Sequence, residues 1–222
     1  MIYLPVSILL FLLFLLLFPF IWILVALDVV EVAVAKLGFS PGIASVLFVA
    51  VLVGSTINIP LYTVKSITPI IPDFQDMWLE KFWGIPLRKF QQKTIIALNV
   101  GGGLIPVILA IYELIRSDAL AIFWVTVIVT IVSYFSAQIV PGIGIQMNAL
   151  VSPLTAVISA ILIAEPLASS VAFAGGILGT LIGADLLHLK EIERMSAGVL
   201  SIGGAGVFDG IAMCGLLALL LT

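Results

Sequence analysis

The sequence GTLIGADLLHLKEIERMSAGVLSIGGAGVFDGI, residues 179–211, decides the fold, because two apolar segments meet in it around a short charged loop. Asp185 lies near the end of the first segment, and Asp209 lies within the second. A carboxylate inside a membrane segment is costly, so such residues are rare and usually functional. Both aspartates stand among glycines, which let the backbone leave a helix or approach another segment closely. The stretch therefore predicts a functional site where the two segments meet.

The composition of the whole chain is that of a membrane protein. Of the 222 residues, 63% are hydrophobic and 9% are charged, and the mean hydropathy is +1.35. A soluble domain has about 25% charged residues, so we expect the chain to form a single transmembrane domain, residues 1–222, with the lipid bilayer as its partner. No basic surface suggests nucleic-acid binding, and the single cysteine, Cys214, excludes an internal disulfide and a cysteine-based metal cluster.

Apolar segments of roughly the length of a membrane span, about 20 residues, recur along the chain. We expect seven of them, with six or eight as alternatives, at 2–26, 41–57, 103–116, 119–139, 152–165, 167–188 and 197–221. The predicted fold class is an all-α polytopic membrane protein. Residues 27–39 are interpreted as a short interfacial helix or as a continuation of the first helix. The run 141–148 is interpreted as a re-entrant or buried connection, because irregular backbone at membrane depth must lie against protein or water.

The only long polar section, residues 58–100, is expected to form a small hairpin outside the membrane. The β-branched residues at 59–64 and 93–98 favour a pair of strands. Lys and Arg concentrate in this section and in the 189–196 loop, and cytoplasmic loops carry such an excess. We therefore expect a multi-pass protein of the cell membrane, with the N-terminus and the 58–100 section in the cytoplasm and the C-terminus outside.

Whether the two aspartates meet depends on the continuity of the last segment. A helix that runs unbroken from residue 197 would bury Asp209 about 18 Å deep, at 1.5 Å per residue, and the two side chains would miss each other. If the chain is broken or re-entrant near 200–207, Asp209 falls in the first turn of a new helix and can approach Asp185. Two carboxylates within a few ångströms share a proton. The competing interpretation is that each aspartate caps a helix or accepts backbone N–H groups.

The residues around the two aspartates complete the predicted site. Asp185 and Asp209 are the candidate catalytic groups, and the candidate supporting residues are Gly183, Ala184, His188, Gly203, Gly204, Gly206 and Gly210. His188 lies three residues after Asp185, so the two side chains can touch on a helix; otherwise we expect His188 to be solvated at the membrane interface. As the only histidine, it cannot build a zinc site without several carboxylate partners, and no metal or other cofactor is predicted.

These motifs carry two resemblances. The segments Asn58–Pro60, Asn99–Gly103, Gly183–Leu187 and Gly204–Gly210 resemble an uncharacterised prokaryotic integral membrane family, domain of unknown function family 1614, which implies no activity. Gly-Ala-Asp-Leu-Leu-His-Leu, residues 183–189, is similar to the glycine-aspartate motif of the intramembrane aspartyl proteases, which include presenilins, signal peptide peptidases and prepilin and preflagellin peptidases.

The second resemblance implies a catalytic role for Asp185. The chain departs from that pattern in order, because in those families the partner aspartate comes from an earlier helix, whereas Asp209 follows Asp185 here. No Pro-Ala-Leu motif of the presenilin kind follows either.

Three functions stay open, of which we expect the first. In the first, the protein would be an intramembrane aspartyl protease that cleaves a membrane-spanning or signal-like peptide with Asp185 and Asp209. Alternatively, it is a proton- or cation-coupled transporter that uses the same carboxylates at broken helices. The third function is a non-enzymatic membrane scaffold with residues 58–100 as a docking site. The sequence does not determine the oligomeric state.

Overall fold

The protein is mostly helical with a small sheet at one end of the helix bundle. The computed structural model describes residues 6–66, 92–140, 144–193, 199–204 and 208–222. The seven main helices in these residues are α1 Val6–Ala35, α2 Pro41–Gly54, α3 Ile105–Arg116, α4 Ala119–Ser136, α5 Val151–Ile163, α6 Ala168–Thr180 and α7 Phe208–Leu221. The strands are β1 Asn58–Ser66, β2 Gln92–Asn99, β3 Gln138–Val140, β4 Gly144–Gln146 and β5 Val199–Ile202. Shorter helical turns are Val100–Leu104, Glu165–Leu167, Leu181–Leu186 and Leu189–Glu193.

Three of the helical stretches are long and apolar enough to cross a membrane. Among the described residues these are Phe11–Ala35, Ala119–Ser136 and Glu165–Glu191. The apolar helices Pro41–Gly54, Val151–Ile163 and Ile211–Leu221 are shorter. The chain is therefore a multi-pass membrane protein by length and composition of its helices, and the count of seven spans stays a prediction. Of the two interpretations of residues 27–39, the continuation of the first helix is confirmed, because α1 runs unbroken to Ala35.

Glycines allow a close helix contact between α4 and α6. Gly175 and Gly179 on α6 and Gly183 in the helical turn after it are spaced four residues apart. A Cβ atom added at Gly175 would lie 2.7 Å from Val125 Cγ1, and one at Gly179 would lie 2.6 Å from Val129 Cβ. The residue numbers of the contacting pairs increase together along the two helices, so α4 and α6 run parallel. Small residues at this spacing let membrane helices approach closely without a clash.

The last helix, α7, packs antiparallel against α6. Thr180, at the end of α6, has its Oγ1 3.4 Å from the Sγ of Cys214. At the other end of the pair, the Thr222 hydroxyl donates a hydrogen bond of 2.9 Å to Ser169 Oγ. The C-terminal end of α6 and the N-terminal end of α7 therefore lie at the same end of the bundle.

A three-stranded sheet in the order β1-β2-β5 lies at that end. β1 pairs antiparallel with β2 from Asn58 opposite Asn99 to Ser66 opposite Gln92, which confirms the predicted pair of strands. The 67–91 part of the predicted hairpin lies outside the described residues.

The third strand of this sheet was not predicted. β5 pairs parallel with β2, although residues 199–202 were assigned to the apolar segment 197–221, with a break near 200–207 and no strand. The all-α prediction is therefore wrong here, because the backbone hydrogen bonds to β2 compete with the helix.

The connection between α4 and α5 packs against this sheet. Its strands β3 and β4 pair antiparallel, from Gln138 opposite Gln146 to Val140 opposite Gly144, and residues 141–143 lie outside the described part of the chain. Gly144 and Ile145 are buried, and a Cβ atom on Gly144 would lie 3.7 Å from Leu200 Cδ2 of β5. The interpretation of this connection as buried is thus confirmed at β4, and a re-entrant path stays a prediction.

Candidate functional site

The first wall of the site is the turn that follows β2. The Asn99 side-chain oxygen accepts a hydrogen bond of 2.7 Å from the N–H of Gly102, which caps the π-helical turn Val100–Leu104. The Asn99 amide group donates to the Ser55 carbonyl at 2.8 Å and to Asn58 Oδ1 at 3.1 Å. A single buried side chain thus ties together the end of α2, the start of β1 and the turn before α3.

The second wall is the glycine turn that follows β5. The Ser201 hydroxyl donates a hydrogen bond to Asn58 Oδ1, so β5 is tied to the same polar cluster as β1. Gly203 has a φ of +68°, a left-handed conformation that other residues rarely adopt. A Cβ atom there would also lie 2.8 Å from the carbonyl carbon and oxygen of Gly102. The two glycine-rich turns therefore pack backbone against backbone.

Asp185 lies against this second turn. It is 3% exposed and belongs to the π-helical turn Leu181–Leu186 that continues α6. Its Oδ2 accepts a hydrogen bond of 2.6 Å from the N–H of Gly203. The bond joins residues 18 positions apart and fixes the end of α6 to the turn after β5. π-helical turns often occur at functional sites, where they change the direction of a side chain.

Asp209 is the second residue of α7, in the first turn of a new helix. The break that was predicted near 200–207 is confirmed at the described residues, because β5 ends at Ile202 and α7 begins at Phe208. Asp209 comes five residues before Cys214, and Asp185 comes five residues after Thr180, the contact partner of Cys214. Asp209 therefore lies about 7.5 Å from that contact along α7, towards the sheet, and Asp185 lies five residues beyond it in the same direction, through the π-helical turn. The two backbone positions are thus at similar depth, and the approach of the carboxyl groups stays a prediction.

His188 is buried, in contrast to the solvated interface position that was expected. Its Nδ1 donates hydrogen bonds to the carbonyl oxygens of Gly183 at 3.1 Å and of Ala184 at 3.0 Å. Its ring stacks on Tyr134 of α4, with the ring centroids 4.6 Å apart. These carbonyls lie at the end of a helix, where such groups lack intrahelical donors. His188 therefore bonds to the backbone instead of to the Asp185 carboxylate.

The remaining supporting residues fall into three groups. Gly183 and Ala184 are buried in the same turn as Asp185, and a Cβ atom at Gly183 would lie 2.4 Å from the Thr130 carbonyl oxygen. Gly203 and Gly204 are buried in the turn after β5. Gly210 lies in the first turn of α7, and Gly206 lies outside the described residues.

Two features of the site were missed by sequence analysis. The first is the side-chain network of Asn58, Asn99 and Ser201, which links the end of α2, β1 and β5. The second is Glu113 on α3, which is 3% exposed and whose Oε1 has no hydrogen-bond partner within the described chain. Its position inside an apolar segment was the available signal, since buried membrane carboxylates are usually functional. In the described residues no three His, Cys, Asp or Glu side chains form a group that could hold a metal ion.

These features define a multi-pass membrane protein in which two glycine-rich turns meet at a buried carboxylate, next to a small sheet. The chain belongs to the family described as Protein of unknown function (DUF1614), whose model matches residues 52–221. This confirms the first resemblance. No curated protein and no solved structure matches the chain. Nothing in these comparisons supports the similarity to intramembrane aspartyl proteases.

Proposed function

We propose that this protein is an intramembrane aspartyl hydrolase in which Asp185 and Asp209 together cleave a peptide bond of a membrane-spanning or signal-like peptide. The observation that carries the proposal is the pair of backbone positions described above. Asp185 ends one apolar helix in a π-helical turn, and Asp209 begins the antiparallel neighbour, with both five residues from the Thr180–Cys214 contact. The proposal also requires that the carboxyl groups of Asp185 and Asp209 lie close enough to share one proton.

The proposed mechanism needs only the two carboxyl groups and a water molecule. The ionised carboxylate takes a proton from water, whose oxygen attacks the carbonyl carbon of the peptide bond. The protonated carboxyl group donates a hydrogen bond to the carbonyl oxygen as negative charge develops there. When the C–N bond breaks, the amine nitrogen takes the proton that the first carboxylate had received from water, so that a new carboxyl group and a new amine are released and the carboxyl pair returns to its starting state.

The hydrogen bond from Gly203 gives Asp185 a defined orientation in this mechanism. A bond between a backbone N–H and a carboxylate is charge-assisted and therefore about twice as strong as a neutral one. It occupies Oδ2 and holds the carboxyl plane, which leaves Oδ1 for water or for Asp209. Because Gly203 is also in contact with Gly102, the orientation of Asp185 depends on both glycine turns.

Glu113 favours a second candidate function, coupling of transport to protons or cations. An intramembrane carboxyl group with an unpartnered oxygen is the kind of group that carries a proton in transporters. Glu113 lies three residues from the C-terminal end of α3, next to the external loop if the predicted orientation holds, whereas Asp185 lies at the sheet end. Two carboxyl groups towards opposite ends of one bundle would give a transported proton a site near each face of the membrane.

The orientation in the membrane belongs to the same proposal. We place the sheet end in the cytoplasm, since Lys and Arg concentrate in residues 58–100 and 189–196. Single cysteines are introduced at exposed Ser40 and at Asn58, in a Cys214→Ser background. A membrane-impermeant maleimide should then label the cysteine at position 40 from outside the cell and the one at position 58 from the cytoplasmic side. Labelling of both from one side would refute this orientation.

The test of the hydrolase is a cleavage assay with reconstituted protein. The protein is placed in vesicles of phosphatidylethanolamine and phosphatidylglycerol with a panel of labelled single-span and signal-like peptides, and products are identified by mass spectrometry. Asp185→Asn and Asp209→Asn should each lower the rate by about 10²–10⁴-fold, the usual contribution of acid–base catalysis. The matched control is Asp118→Asn, because Asp118 caps α4 by accepting from Leu120 and Ala121, and asparagine caps equally well.

The variants also separate the alternatives. Cleavage that survives either change at Asp185 or Asp209 refutes the hydrolase. Proton uptake into the same vesicles that is lost in Glu113→Gln and Asp185→Asn, without cleavage by the wild type, identifies a transporter. Loss of stability without any activity of the wild type supports a scaffold.

A further inference from the structure

An apolar cavity lies between α1 and α2 on one side and α3, α6 and α7 on the other. Its volume is about 320 Å³, within the range of about 300–1,000 Å³ that is typical of ligand pockets. No lining residue carries a polar side chain, and the walls are made of leucine, valine, isoleucine, phenylalanine, alanine, proline and glycine. A cavity of this kind stays dry and binds apolar ligands.

The cavity extends from the candidate site towards the opposite end of the bundle. Near the site it is lined by Gly101 of the turn after β2 and by Ile211 and Ala212, which follow Asp209 by two and three residues. Its far end includes Leu219. The distance from Ile211 to Leu219 along α7 is about 12 Å at 1.5 Å per residue. This is close to one leaflet of a hydrocarbon core that is about 30 Å thick.

The size of the cavity selects a thin occupant. An apolar cavity of about 150 Å³ binds benzene, so about 320 Å³ accommodates roughly a dozen carbon atoms. A single hydrocarbon chain fits this volume and length.

Access to the cavity is from the bilayer. Leu52 of α2 and Ala212 of α7 line it and are exposed, so an opening lies between these helices. On the inner wall Phe173 is 6% exposed and Ile177 is 2% exposed. The helices that surround the cavity are apolar, and the medium outside them in a membrane is lipid hydrocarbon.

We propose that this cavity binds one hydrocarbon chain of a bilayer lipid, inserted between α2 and α7 with its end against the inner wall of α6. The hydrocarbon chain makes the van der Waals contacts that the apolar walls lack when the cavity is empty. Its position beside Gly101 and Ile211 connects lipid occupancy to both glycine-rich breaks of the candidate site. The proposal does not depend on the hydrolase activity.

The first experiment maps where a lipid chain contacts the protein. The probe is phosphatidylcholine with a photoreactive diazirine in one acyl chain, incorporated in phosphatidylcholine vesicles with the wild-type protein. We expect adducts at Phe173 and Ile177, which lipid outside the bundle cannot touch. Leu162 on α5, which is 80% exposed, reports ordinary contact with the bilayer. Adducts at Leu162 without adducts on the inner wall overturn the proposal.

The second experiment fills the cavity. Ala212→Phe adds a ring at an exposed lining position, and Leu52→Trp does so from the opposite helix, in case the first variant does not fold. Either change should lower the adduct yield at Phe173 and Ile177 at least tenfold, while Leu162→Trp on the outer face leaves it unchanged. An unchanged yield in a folded cavity variant contradicts the proposal. So does preferential labelling of the inner wall by a diazirine-bearing single-span peptide.

Discussion

The hydrogen bond between Asp185 and Gly203 predicts a specific difference between two substitutions of Asp185. Alanine removes the acceptor and leaves the N–H of Gly203, a buried residue, without a partner. Asparagine has nearly the same shape and retains an oxygen that accepts from the same N–H. The two variants therefore separate the structural role of Asp185, which needs an acceptor, from its proposed chemical role, which needs an ionisable group.

The expected magnitude follows from the burial of the donor. A buried N–H group left without an acceptor costs about 1–3 kcal/mol, and a hydrogen bond to a charged group contributes about 1.5–3 kcal/mol. Asp185→Ala should thus lower the free energy of unfolding by about 2–3 kcal/mol. Asp185→Asn should lower it by less than about 1 kcal/mol, because the bond persists without its charge. Asp28→Ala, at an exposed position of α1, should stay within about 0.5 kcal/mol of the wild type.

Unfolding in mixed micelles measures these differences. The protein is titrated with sodium dodecyl sulfate in dodecylmaltoside, and the emission of its four tryptophans is followed. If Asp185→Ala is as stable as the wild type, the bond to Gly203 does not hold the glycine turn in place. If Asp185→Asn loses as much stability as Asp185→Ala, the charge and not the acceptor is what stabilises the fold.

Two further predictions concern close packing and His188. Gly101→Ala should destabilise the protein by about 1–3 kcal/mol, because its Cβ atom would lie 2.1 Å from the Val51 carbonyl oxygen. Gly42→Ala is the matched control, with nothing within 4 Å, and should be neutral or stabilising in the same titration. His188→Phe keeps the stack on Tyr134 but loses the donor to two carbonyls, so we expect a loss of about 1 kcal/mol. Equal stability of His188→Phe and the wild type would contradict this role.

The predictions that succeeded rest on local patterns. Residues 59–64 and 93–98 are rich in β-branched side chains, and they pair as parts of β1 and β2. The glycines after residue 202 were expected to interrupt the last helix, and α7 begins at Phe208. The predicted boundaries of α2, α4 and α5 agree with the structure to within three residues, because a run of apolar residues is sufficient to locate an apolar helix.

The predictions that failed involve partners distant in sequence. Residues 199–202 lie in an apolar segment for which no strand was expected, but they pair with residues 95–98, about a hundred positions earlier. The spacing of His188 and Asp185 suits a contact on a regular α-helix, and the π-helical turn Leu181–Leu186 changes that geometry. Buried Glu113 was overlooked, since a carboxylate near a segment end is easily assigned to the solvated loop.

The sequence by itself determined that this chain belongs in a membrane, where its helices lie approximately, and which glycines break them. Those properties follow from composition and from the conformational freedom of individual residues, so they are readable position by position. Only the tertiary structure decided that β5 joins the sheet, that Asp185 bonds to Gly203 and that Asn99 holds α2, β1 and the turn before α3 together. Each depends on hydrogen bonds to backbone groups that lie far along the chain. A backbone N–H or carbonyl group is chemically the same in every residue, apart from the N–H that proline lacks, so the sequence does not mark which of these groups will pair.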